Sequence, residues 1–126
     1  MRSVDTNVLV RLLAQDDERQ AEAAGAFVSP GAWVSHLVLA ETTWVLSSVY
    51  DRSPRELTLA IERLLDHEHL VLQDPDVVRA AVATFRRRPA LTFSDCLIVA
   101  IASKAGHTPL GTSDRDLSKV DGAERI

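Results

Sequence analysis

The chain predicts an α/β fold built on a parallel sheet, and three observations carry that expectation. Short apolar runs begin at Val4, Ala32, Leu70, Pro109 and Ala123. Longer segments with apolar residues at helical spacing separate them, the alternation expected of strands joined by crossover helices. No repeat, low-complexity stretch or linker interrupts the 126 residues, so a single domain over 1–126 is expected. Parallel sheets of this kind are covered on both faces and bind ligands beyond the carboxyl ends of their strands. Acidic residues at strand ends are therefore candidates for function.

The elements follow in order. The run from Val4 begins as a strand, and Asn7 to Ala14 reads as the helix after it. Asp16 and Asp17 open a second helix through Phe27 and Val28, closed by the turn pair Pro30-Gly31. Ala32 to Ser35 is a short strand, and Leu37 to Tyr50 a long helix. Ser53-Pro54-Arg55-Glu56 is a helix start, with a hydroxyl at the N-cap, proline at the first position and glutamate at the third. Leu57, Ile61, Leu64 and Leu65 form that helix's apolar face. Leu70 to Gln73 is a strand, Pro75 to Arg87 a helix, and Thr92 to Gly106 a further helix with the glycine as its stop. A strand from Pro109 to Thr112, a short helix from Ser113 or Asp114 and a strand from Ala123 to Ile126 complete the chain.

The totals exclude several classes. A hydrophobic share of 46% with 25% charged residues is ordinary for a folded domain and gives no case for disorder. No apolar run approaches the roughly 20 residues of a membrane span, and no signal-peptide pattern opens the chain. A single cysteine, Cys96, cannot form an internal disulfide, which points to the cytoplasm. Among Leu97, Ile98 and Val99 it reads as a small buried apolar residue. The net charge of −4 runs against binding of nucleic acid by bulk charge alone.

Four carboxylates stand in places that ask for an explanation. Asp5 falls at the end of the first strand, where aspartate is a poor strand residue, or serves as N-cap for the helix after it. Glu41 lies within the stripe Leu37, Ala40, Trp44, Val45, on a helix that also carries Val38 and Leu39. That setting predicts a buried carboxylate, which needs either an arginine or a cation. Asp95 sits in the first turn of the most apolar helix, three residues after Thr92, and reads as a variant capping box or as a functional acid. Asp114 follows the strand ending at Thr112 and reads equally as a helix N-cap; Asp116 is a solvated first-turn acid or an additional ligand. One sheet edge is expected to gather all four. Carboxylates about 4 Å apart repel by roughly 4 kcal/mol at an effective dielectric near 20, so such a cluster raises its own pKa values or binds hard cations. All-oxygen ligands favour Mg²⁺ or Mn²⁺, and no Cys/His set has zinc spacing.

These residues resemble the PIN domain, specifically the toxin ribonucleases of VapBC toxin–antitoxin systems. The resemblance rests on Val4-Asp5-Thr6-Asn7-Val8-Leu9-Val10-Arg11-Leu12-Leu13, the helix acid Glu41, Phe93-Ser94-Asp95-Cys96-Leu97-Ile98-Val99-Ala100, and Thr112-Ser113-Asp114-Arg115-Asp116-Leu117. It covers essentially the whole chain in order, although the family often has an aromatic where Ser113 stands. It implies a three-layer α/β/α sandwich around the central parallel sheet, generally dimeric, with an antitoxin's C-terminal tail over the active-site groove. It assigns Asp5, Glu41, Asp95 and Asp114 as the acidic quartet, with Asp5 and Asp95 the principal Mg²⁺ ligands and Asn7 and Thr112 in support. The implied reaction is hydrolysis of a tRNA or rRNA phosphodiester. Arginine supplies 12 of the 14 basic residues, and Arg86-Arg87-Arg88 is the best candidate for RNA contact; it reads equally as cations at a helix C-terminus. His36, His67, His69 and His107 show no acid–base pairing and are not required.

The rivals fit less well. A phospho-acceptor receiver domain wants paired acids after the first strand and a late lysine, whereas Thr6-Asn7 follows Asp5 and the only lysines are Lys104 and Lys119. A haloacid-dehalogenase-type phosphatase needs a second aspartate at position 7, which is Asn7. A housekeeping PIN nuclease without an antitoxin, or an inactive PIN-like RNA-binding module, remains as the alternative.

Overall fold

A computed structural model describes residues 1–126. The chain divides into two compact units, Met1–Pro75 and Asp76–Ile126. Every strand pairing in both units is parallel, which establishes the expected α/β class.

The first unit runs β1 (Arg2–Ser3), α1 (Thr6–Ala14), α2 (Glu18–Val28), β2 (Ala32–Val34), α3 (His36–Ser48), α4 (Pro54–Asp66) and β3 (Leu70–Leu72). Its sheet has the order β1-β2-β3, with Ser3 opposite Trp33 and Trp33 opposite Val71. Parallel neighbours cannot be joined by a tight turn, so a pair of helices makes each crossover. Ala32, Val34, Leu70 and Leu72 are buried, while Val71 between them is 45% exposed, the alternation that a pleated strand imposes.

Local signals set the helix ends. Asp5 caps α1 by accepting from Val8 N at 3.3 Å, and Asp17 caps α2 by accepting from Gln20 N at 3.1 Å. Gly31, at φ +100°, takes the left-handed turn into β2 that a side-chain-bearing residue would resist. The α4 start is a complete capping box: Ser53 Oγ accepts from Glu56 N, and Glu56 Oε1 accepts from Ser53 N at 3.0 Å. Leu57, Ile61 and Leu64 of that helix are buried as expected, and Leu65 is half-buried.

The second unit contains α5 (Pro75–Arg87), which starts at the boundary, α6 (Phe93–Lys104), β4 (Leu110–Thr112), a 3₁₀ turn (Leu117–Lys119) and β5 (Ala123–Arg125). Strands β4 and β5 pair with each other, Gly111 opposite Glu124. Helix α5 buries Val77, Val78, Ala81, Val82 and Phe85, a stripe at helical spacing. Phe85 meets Phe93 of α6 edge-to-face, ring centroids 6.0 Å apart. Gly122 precedes β5 at φ +92°, and a Cβ there would stand 3.2 Å from Ser103 Oγ, so glycine answers both backbone and space. No helix is long and apolar enough to cross a membrane.

Candidate active site

Helix α3 corrects the expectation for Glu41. Its cap is Ser35, whose Oγ accepts from Val38 N at 3.2 Å, and its buried residues are Leu39, Thr42, Thr43 and Leu46. Leu37 and Trp44 are 70% and 67% exposed, and Glu41 lies with them on the exposed side. Glu41 is therefore not a buried acid, and no desolvation penalty demands a partner for it. The inward face holds two threonines instead. Thr42 Oγ1 donates to Val38 O at 2.7 Å and Thr43 Oγ1 to Ala40 O at 2.8 Å, so their hydroxyls are satisfied within their own helix.

What holds Glu41 is Thr6, a member of the first motif to which the sequence alone assigns no role. Thr6 Oγ1 donates to Glu41 Oε2 at 3.2 Å, across 35 positions of sequence. Asp5, Thr6 and the Glu41 carboxylate thus share the N-terminal turn of α1, where the helix dipole and free N–H groups favour negative charge. Asn7, next along that turn, is exposed. The signal in sequence was the hydroxyl beside Asp5, but its partner could not be read without the packing of α1 on α3.

Asp95 is half-buried in the first turn of α6, and Thr92 is the cap: Thr92 Oγ1 accepts from Asp95 N at 3.1 Å. Burial, and after it the charge of the neighbouring Asp95, pushes the Cys96 thiol up to about 11. Cys96 is a free, buried cysteine, as expected.

Asp114 is exposed and performs the capping role that was its alternative reading. Its Oδ1 accepts from Asp116 N at 2.8 Å and from Leu117 N at 3.0 Å, and its own N–H donates to Thr112 Oγ1 at 3.1 Å. Thr112 thus orders the chain around Asp114. Asp116 is exposed and makes no side-chain capping bond to the 3₁₀ turn. Asp5 and Glu41 belong to the first unit, Asp95 and Asp114 to the second. No group of three or more His, Cys, Asp or Glu side chains stands ready to hold a metal ion.

Arg86 and Arg87 occupy the last turn of α5, and Arg88 follows it. Arg88 backbone N–H donates to Thr84 O at 3.0 Å, and its Nη2 donates to Lys119 O at 3.4 Å, so its guanidinium serves the 3₁₀ turn and not the last carbonyls of α5. Of the histidines, His67 Nδ1 accepts from His69 N at 3.1 Å, and His69 pairs with Glu68 at 3.0 Å. His36 is half-buried at the start of α3, where its backbone N–H donates to Gln73 Oε1 at 2.9 Å.

No curated protein shows significant similarity to the sequence. Among solved structures, the chain is similar to the crystal structure of Mycobacterium tuberculosis VapC20, described as a sarcin–ricin loop cleaving toxin. The identity is 22% over 98% of each chain, with a TM-score of 0.45. The family model of the PIN domain matches residues 3–123, nearly the whole sequence. The chain belongs to the PIN-domain family.

Proposed function

We propose that this PIN domain is a divalent-metal-dependent endoribonuclease that hydrolyses RNA phosphodiesters, and that it acts as the toxin of a type II toxin–antitoxin pair. The observation that carries the nuclease reading is family membership over residues 3–123, with Asp5, Glu41, Asp95 and Asp114 in motif order along that span. The same span supports treating 1–126 as one PIN-like domain. The toxin reading rests on the likeness of the four motif blocks to VapBC toxins.

The donor chemistry fits the cation such an enzyme needs. All four acids offer only oxygen, the donor preferred by Mg²⁺ and Mn²⁺. Asp5 and Asp114 each commit Oδ1 to backbone N–H groups, and Glu41 commits Oε2 to Thr6. One oxygen of each is thereby oriented, and the other is left for a ligand. In this reading Asp5 and Asp95 are the principal metal-holding residues, Glu41 and Asp114 complete the set, and Asp116 is a further candidate. Asn7 and Thr112 support them. A bound divalent ion would acidify a water and offset charge gathering on the phosphate. The carboxylates would hold that ion, and one of them would take a proton from the attacking water. Arg86, Arg87 and Arg88 bind RNA phosphates, which answers the net negative charge of the chain. The substrate is a tRNA or rRNA; the partners are a cognate antitoxin and a second copy of the chain; the compartment is the cytoplasm.

The test is cleavage of a tRNA and rRNA panel in Mn²⁺, with Asp95→Asn as control. Cleavage by the parent and not by the variant is the expected result, and equal rates refute the enzyme reading. Induced expression should arrest growth, and Asp95→Asn should relieve the arrest. Arrest that persists in the variant, or a genome without a small antitoxin reading frame beside this gene, refutes the toxin reading.

A further inference from the structure

We propose that Thr6 is a positioning residue for Glu41, holding its carboxylate ready for a divalent cation; the inference rests on the proposed reading of Glu41 as a metal-holding acid. A glutamate on an exposed helix face is free to sample many rotamers, and fixing them on binding costs entropy. The bond from Thr6 Oγ1 to Glu41 Oε2, at 3.2 Å, removes part of that freedom before any ion arrives. Ordering in advance is what raises affinity without a new contact.

Three features make Thr6 suited to the task. It is the first residue of α1, immediately after the capping Asp5, so its backbone is fixed by the helix start. Its branched Cβ restricts χ1, so the hydroxyl is aimed by the backbone rather than by a flexible stem. A threonine in this position commonly turns its hydroxyl to a nearby backbone group; here the hydroxyl proton goes to a carboxylate 35 residues away. The bond has a charged acceptor, which makes it stronger than a neutral pair. It engages one oxygen of Glu41 and leaves Oε1 for the ion. Outer partners of metal-holding groups act in this way, by fixing orientation.

The probe is Mn²⁺ alone, titrated calorimetrically into the full chain. Thr6→Val and Thr6→Ala should each weaken Mn²⁺ binding by about three- to tenfold, the range expected for losing one exposed hydrogen bond to a ligand. Thr6→Ser keeps the hydroxyl and should stay within about twofold of the parent, on the same reasoning. In a Glu41→Ala background, Thr6→Val should change nothing further, because its only route to the ion has gone. Should Glu41→Ala weaken binding while both Thr6 variants bind as the parent does, the positioning role is overturned and the metal reading stands. Should Thr6→Ser bind as poorly as Thr6→Val, the hydroxyl is not the agent, and the proposal fails. Should Glu41→Ala itself leave Mn²⁺ binding unchanged, the reading of Glu41 beneath the proposal fails instead. Thr6→Ala guards against a β-branched apolar residue disturbing the first turn, and circular dichroism confirms that each variant is folded.

Discussion

Asp5 carries two roles that one pair of substitutions can separate. Its Oδ1 caps α1 by accepting from Val8 N at 3.3 Å, and its carboxylate is a proposed metal-holding group. Asparagine retains an oxygen for the cap, whereas alanine does not. Loss of an N-cap side chain costs about 0.5–2 kcal/mol. The bond here is long and Asp5 is exposed, which places Asp5→Ala at the lower end, about 0.5–1 kcal/mol in metal-free buffer. Asp5→Asn should stay within about 0.3 kcal/mol of the parent, since asparagine caps as well as aspartate. Metal changes the grouping, setting Asp5→Asn beside Asp5→Ala instead of beside the parent. A ligand present at 100 times its Kd stabilises the folded chain by about 2.7 kcal/mol. The parent should gain that increment from Mn²⁺, and both variants should lose most of it. Urea unfolding with and without Mn²⁺, followed by tryptophan fluorescence, measures all the terms. If Asp5→Asn is as unstable as Asp5→Ala without metal, the side-chain oxygen is not the cap. If Asp5→Asn gains the full increment from Mn²⁺, Asp5 does not hold the ion.

Other outcomes follow from single contacts. Cys96 is buried and its thiol is pushed up to about 11, so at pH 8 only about one part in a thousand is thiolate; a disulfide reagent should label it at least 100-fold more slowly in the native chain than in urea, and equal rates would mean the site opens freely. Ser53→Ala removes one half of the α4 capping box and should cost about 1 kcal/mol in urea unfolding, with no loss at all counting against the box. Glu56 is held below its ordinary value chiefly by its bonds with Ser53, so its contribution to stability is present above the unfolded carboxyl pKa and is lost as pH falls through the lower folded value. Glu56→Gln should flatten the acid limb of the stability profile, and an unchanged limb would refute that linkage. On α3, Leu39→Ala should cost about 2–5 kcal/mol and Trp44→Ala under about 1 kcal/mol, because only the first is buried; a large loss at Trp44 would show that its face is covered.

What was legible in the sequence was local. The α4 start lies within four consecutive residues, so Ser53, Pro54 and Glu56 could be assigned from spacing alone. Helix α5 was legible to its ends because proline opens it and a single stripe from Val77 to Phe85 faces inward. The capping alternative for Asp114 was also local, and it is realised over three residues. Boundaries were lost where the deciding bond was distant: the run from Val4 has a strand's composition, yet β1 is Arg2–Ser3, and Val4, just past its end, meets the sheet through its N–H bond to Trp33 O of β2 at 3.2 Å.

Helix α3 shows the limit of periodicity as a guide to burial. Leu37, Val38, Leu39, Ala40, Trp44, Val45 and Leu46 place apolar groups around almost the whole helix, so no single stripe marks the core. The stripe Leu37, Ala40, Trp44, Val45 predicts burial of the face with Trp44, whereas the fold buries the face with Thr42 and Thr43. Threonine could take that place because its hydroxyl bonds back to its own helix and its methyl packs as valine's would. Inverting the face also inverts the argument about Glu41. A buried acid would have demanded a cation to be tolerated at all. An exposed acid demands nothing, so its case must rest on what orients it. The donated bond from Thr6, beside the capping carboxylate of Asp5, is that orientation. The first unit therefore holds two carboxylates at one helix end without the cost of burying either, and these are the groups that the proposed cation would meet there.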